Sequence, residues 1–194
     1  MRIIIAGSSN GRTAVFEAAN EGSIPSPADL KIHIIMKTPQ WIKKLGGHAG
    51  ELYVAAELSK RGIPNALLPE NFSDNDILFG SKDGDVLGYI QVKSCHPDRG
   101  NSWPLTVKHE EWVHSARNEF VVFVWLGSPT KNESPRFWVA TKREVGKHLV
   151  KYPTHGTKNT WRRMGLRNKN PVFVIPGKWE NNLALLEEFL RRSP

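Results

Sequence analysis

The run from Glu119 to Leu126, EFVVFVWL, constrains this chain more than any other stretch. Its β-branched and aromatic side chains favour an extended backbone. Successive residues of a strand point to opposite faces, so a strand apolar on both faces must lie inside a sheet that is covered on both sides. The chain is 194 residues long, enough for one well-buried core. The expectation is a single α/β domain: a mixed sheet of about five strands flanked by helices.

The remaining elements follow from periodicity and punctuation. Residues 47 to 62 have helical spacing, with Gly62 as the stop, and Ile63 to Leu68 reads as a strand. Asp76 to Phe79 and Val86 to Lys93 form a hairpin around the glycines and aspartates of residues 80 to 85. In its second strand Tyr89, Gln91 and Lys93 share one face, and Ile90 and Val92 the other. Cys95 to Thr106 reads as a polar loop and Lys108 to Arg117 as a helix. Arg136 to Ala140 pairs beside the apolar strand, and Thr141 is a plausible N-cap for a helix running to Val150. Lys151 to Asn170 reads as a basic loop with a helical turn near Trp161, Val172 to Ile175 as a short strand, and Glu180 to Arg192 as a closing helix. Residues 1 to 36 form an N-terminal extension: a strand at Arg2 to Ala6, a turn at Gly7 to Gly11, a short helix at Arg12 to Asn20 and a strand at Lys31 to Met36. The main domain then covers residues 37 to 194.

Composition narrows the function classes. No apolar run approaches the roughly 18 to 20 residues that cross a bilayer, so no membrane partner is expected. The apolar stretch after Arg2 is too short for a secretory signal, and the single cysteine, Cys95, permits no intrachain disulfide. Both point to the cytoplasm. The formal net charge is +8, and residues 136 to 169 alone hold ten basic side chains against Glu144. Lys142, Arg143, Lys147, Lys158, Arg162, Arg163 and Arg167 are candidate phosphate contacts, and Trp161 is a candidate stacking platform.

Cleaving a phosphodiester calls for a divalent metal, oxygen ligands to hold it and a cation beside the attacking water. Asp76 offers a carboxylate, Gln91 a neutral side-chain oxygen, and Val92 its peptide carbonyl. Lys93, on the same strand face as Gln91, is placed to position or deprotonate the water. Glu51, on the preceding helix, would bind the metal directly or through water.

The succession Gly47-His48-Ala49-Gly50-Glu51, then Asp76, then Gln91-Val92-Lys93 resembles the PD-(D/E)XK nuclease superfamily. The likeness is to its GxxGE-helix branch, which includes Holliday-junction resolvases and some homing and restriction endonucleases. Asn75 stands where that pattern has proline, and Gln91 where an acidic residue is usual. The resemblance implies a restriction-endonuclease-like sheet and a DNA endonuclease using Mg2+ or Mn2+. Glu51, Asp76, Gln91 and Lys93 would be its catalytic residues, with Glu51, Asp76, Gln91 and Val92 around the metal. A homodimer follows by the same analogy. Two other classes stay open: a non-catalytic nucleic-acid-binding protein of the same fold, and a nucleotide- or phosphate-binding protein using the turn at Gly7 to Gly11.

Overall fold

The computed structural model describes residues 2–6, 12–17, 32–36, 40–70, 73–96, 101–151, 161–166 and 172–192. The chain divides into two units, Met1–Lys43 and Lys44–Pro194.

In the first unit β1 (Arg2–Ala6), β2 (Arg12–Glu17) and β3 (Ile32–Met36) form an antiparallel sheet with β2 in the middle. The helix expected from Arg12 is therefore a strand. Thr13, Val15 and Phe16 are strand formers, and each residue of β2 from Arg12 to Phe16 pairs with one of β3. The turn at Gly7 to Gly11 lies outside the described residues.

Helix α1 (Gln40–Lys60) leads into the second unit. The strands there are β4 (Asn65–Leu67), β5 (Ile77–Gly80), β6 (Leu87–Cys95), β7 (Ser102–Thr106), β8 (Glu119–Trp125), β9 (Arg136–Thr141), β10 (Trp161–Gly165) and β11 (Val172–Val174). Helices α2 (Lys142–Leu149) and α3 (Ala184–Arg192) complete it. The main sheet has the order β4-β5-β6-β8-β9 and is mixed, because β6 and β8 run parallel while the other pairs are antiparallel.

Strand β8 explains the layering. Phe120, Val122 and Val124 join a core with Val54 and Leu58 of α1 and Leu186 of α3. Val121, Phe123 and Trp125 join a second core on the other face, with Val145 and Leu149 of α2 and Trp103, Leu105 and Met164 of a second sheet. That sheet has the order β11-β10-β7. Burying both sets of side chains removes more apolar surface from water than a one-sided sheet would allow.

This second sheet corrects two loop assignments. Strand β7 lies in the supposed polar loop; its inward residues, Trp103 and Leu105, alternate with exposed Pro104. Strand β10 replaces the helical turn near Trp161, and its alternation is disguised because Arg162 points inward beside Met164. Two helices differ as well. Val107–His114 is a 3-10 segment rather than an α-helix, and α3 starts at Ala184, after a short 3-10 turn at Gly177–Trp179.

Helix α1 begins seven residues before the expected start, so Gly46 and Gly47 lie inside it. Gly50 has a packing reason: a Cβ there would lie 2.6 Å from the Ser94 Cβ on β6. Ser94 Oγ donates to the Gly46 carbonyl at 2.8 Å, which fastens the helix to the strand.

Candidate functional site

The site forms where the β5–β6 ladder stops. The two strands pair from Gly80 and Leu87 to Ile77 and Ile90. One residue earlier, the Asp76 N–H still donates to the Ile90 carbonyl at 2.8 Å. The next donor on β6, the Val92 N–H, instead finds the Asp76 side chain, donating to Oδ2 at 2.6 Å. A carboxylate has replaced a peptide carbonyl at the end of the ladder. Of its two oxygens, Oδ2 is occupied by this bond.

The pleat of β6 turns Ile90 and Val92 into the α1 core and leaves Gln91 and Lys93 half-buried on the opposite face. Gln91 and Lys93 line a cleft of about 360 Å3, whose far wall carries Thr106, His109 and Trp112. An adjoining depression contains Asp76, Gln91, Glu70 and Lys44. Asp74 borders both. Gln91 Oε1 is buried and has no hydrogen-bond partner among the described residues. An acceptor left in that condition costs on the order of 1 to 3 kcal/mol, and a cation would remove the cost.

The electrostatics point the same way. Burial raises the Asp76 pKa above the usual carboxylate value, with the Val92 N–H, Lys93 and Lys142 acting against it. Burial also raises that of Glu51, and the charge of Asp76 raises it further. Lys93 shifts the other way: burial lowers its pKa despite Asp76 and Asp74, and Lys142 adds to the lowering. The site therefore holds carboxylates that ionise less readily than free ones and an amine that holds its proton less tightly than a free lysine. Glu51 sits in the middle of α1 rather than in its first turn, so the positive end of the helix dipole does not reach it. His48 Nδ1 lies 3.5 Å from its Oε2.

These groups suit a hard divalent cation. The oxygens on offer are Asp76 Oδ1, Gln91 Oε1 and the Val92 carbonyl; Glu51, on α1, is near enough for the charge of Asp76 to raise its pKa but is not among the residues that line either cleft. Among the described residues no three His, Cys, Asp or Glu side chains gather as a metal cluster. A metal here would thus rely on amide and peptide oxygens and keep several waters, a preference of Mg2+ more than of Zn2+.

The basic segment is divided by the fold. Lys142 is 2% exposed and its Nζ meets Glu119 Oε1 at 3.1 Å. Arg162 is also buried and is paired with Glu110. Arg143 donates to the Ser115 carbonyl at 2.8 Å. Lys147, Arg163 and the 46%-exposed Trp161 stand at the surface. Lys158 and Arg167 lie outside the described residues. Lys142 and Arg162 are therefore interior ion-pair partners, a correction imposed by the inward phase of α2 and β10.

Reading the sequence missed Asp74, His109, Trp112 and the inward Lys142 as neighbours of Lys93. The one local signal was Thr106 followed three residues later by His109, a capping-box spacing with histidine in place of Glu or Gln.

No protein-family model matches the chain, and no curated protein matches it. Among solved structures it is similar to a bacterial homing endonuclease, I-Ssp6803I, with a TM-score of 0.44 and 16% identity over 75% of this chain and 92% of that one. No helix among the described residues is long and apolar enough to cross a membrane.

Proposed function

We propose that this chain is a metal-dependent endonuclease that hydrolyses DNA phosphodiester bonds. The observation that carries the reading is the buried, unpartnered Gln91 Oε1, set on one strand face with Lys93 and beside the carboxylate that ends the β5–β6 ladder.

Asp76, Gln91 and the Val92 carbonyl would hold Mg2+ or Mn2+, with Glu51 binding directly or through water. The bound metal would screen the phosphate and lower the pKa of a ligated water. Val92 keeps the Asp76 carboxylate aimed through its N–H. Lys93 orients the attacking water and, in its neutral form, takes a proton from it; its lowered pKa supports that role. The exposed Lys147 and Arg163 would contact the DNA backbone, with Trp161 offering a face for stacking.

Linear, circular and branched DNA incubated with the protein, in Mg2+ and in chelator, tests the reading. Cleavage is expected only with metal. Asp76→Ala and Lys93→Ala should each lose at least about a hundredfold in rate, with the fold and salt-sensitive DNA binding retained. Cleavage surviving in both variants would overturn the assignment. Salt-sensitive binding with no product from the wild type would make the chain a non-catalytic DNA-binding protein.

A further inference from the structure

The cleft that holds Gln91 and Lys93 has a second wall, made by the 3-10 segment Val107–His114 and the end of β7. His109 belongs to this wall, and its ring is fixed by three contacts. The Thr106 N–H donates to its Nδ1 at 3.0 Å. The Thr106 hydroxyl lies 2.9 Å from the same nitrogen, and the Thr106 carbonyl 3.2 Å from it. The ring also meets Trp112 edge to face, with centroids 4.6 Å apart, and Trp112 in turn carries the Lys142 ammonium 5.7 Å from its own centroid.

A nitrogen that accepts from a backbone N–H carries no proton. Two donors, the Thr106 N–H and hydroxyl, converge on Nδ1 against one acceptor, the Thr106 carbonyl, so Nδ1 is assigned the acceptor role and the ring proton of neutral His109 is assigned to Nε2. Burial, reinforced by the positive charge of Lys93, lowers the imidazole pKa below its ordinary value and favours this neutral form near pH 7. A helix-start residue chosen only to cap Thr106 would be Glu or Gln. Histidine satisfies the same N–H and adds a donor at its far end, in a cleft that it shares with Gln91 and Lys93.

We infer that His109 is a further catalytic residue of this site, donating a hydrogen bond from Nε2–H to an oxygen of the scissile phosphate. The inference rests on the nuclease reading above and assigns the second cleft wall to substrate. A neutral donor already oriented by Thr106 and Trp112 stabilises charge that builds on the phosphate oxygens without having to reorganise.

Two variants separate capping from catalysis. In His109→Asn the side-chain oxygen can still accept from the Thr106 N–H, but nothing replaces Nε2–H. In His109→Gln the longer amide returns a donor towards the cleft. Metal-dependent cleavage should fall about a hundredfold in kcat for the Asn variant, with KM changed less than about threefold, and recover about tenfold in the Gln variant. Wild-type kcat in the folded Asn variant would overturn the inference and leave the nuclease reading standing. A wild-type protein without metal-dependent product would sink the nuclease reading instead.

Nitrogen NMR of the imidazoles supplies a readout independent of turnover. In chelator, the full chain should show His109 as the Nε2–H tautomer, and adding duplex DNA should move that Nε2 signal. An Nδ1–H tautomer, or an Nε2 signal unmoved by DNA, would overturn the inference.

Discussion

Asp76 has two structural duties that oppose each other. Its carboxylate closes the β5–β6 ladder by accepting from the Val92 N–H, yet burial raises its pKa and penalises its charge. A carboxyl group whose pKa is raised on folding stabilises the fold at low pH, and that contribution is lost as pH rises through the folded-state pKa. Glu51 follows the same sign. Lys93, whose pKa is lowered, makes a contribution that is lost as pH falls through its folded-state value. At neutral pH all three therefore work against the metal-free fold. Asp76→Asn, which keeps an acceptor for Val92, should melt no lower than wild type in chelator near pH 7, and the two should converge as pH falls through the carboxylate range. Mg2+ should stabilise the wild type by about 1.4 kcal/mol for each tenfold rise in metal above Kd, raising its melting midpoint, and leave the variant unmoved. Equal metal shifts in thermal melts of both proteins would refute the ligand assignment. Lys142 permits a second test at this scale. Because it is buried against Glu119, Glu119→Ala should cost about 3 to 5 kcal/mol in denaturant unfolding, and Lys142→Met much less. Glu51, Asp76, Gln91 and Lys93 were legible as a succession because their order along the chain is itself the signal. The orphaned Gln91 oxygen and the inward Lys142 were not, since burial belongs to the packed molecule.

At the scale of elements, the contact between α1 and β6 sets the height of Glu51 above the sheet. Gly50 makes that contact possible, because an added Cβ would press on Ser94. Gly50→Ala should cost about 1 to 3 kcal/mol by overpacking, and adding Ser94→Gly should recover part of it although the bond to Gly46 is lost. Additive losses in the double variant, measured by denaturant unfolding, would contradict the close approach. Helix α2 offers a control far from this contact. Thr141 Oγ1 accepts from the Glu144 N–H at 3.1 Å while Glu144 Oε2 accepts from the Thr141 N–H at 3.2 Å. Thr141→Ala should cost about 1 kcal/mol and Thr141→Ser little. That helix was readable in advance because its capping residues are local, although the inward turn of Lys142 was not. Strands β7 and β10 were not, since Pro104 and the inward Arg162 conceal their alternation and only the pairing Arg162 with Leu105 and Met164 with Trp103 shows it.

For the whole molecule, both cores draw their described residues from Tyr53 to Leu190, all in the second unit. The second unit holds two cores of its own, so a chain starting at Gln40 should unfold cooperatively in a circular dichroism melt and keep its response to metal; loss of the cooperative transition would show that the N-terminal sheet is required. The sequence by itself determined that β8 had to be covered on both faces, because seven consecutive apolar side chains cannot leave either face in water. It also determined the order in which a glutamate helix, an aspartate and a Gln-Val-Lys strand occur, since order needs no folding to be read. Only the tertiary structure decided that a second sheet, with α2, would cover one of those faces. It likewise decided that Lys142 and Arg162 would be spent inside on carboxylates. Asp74, His109 and Trp112 came to face Lys93 by the same route. These outcomes depend on contacts between residues distant in the chain, where inward phase and desolvation, rather than residue type, settle what each side chain can do.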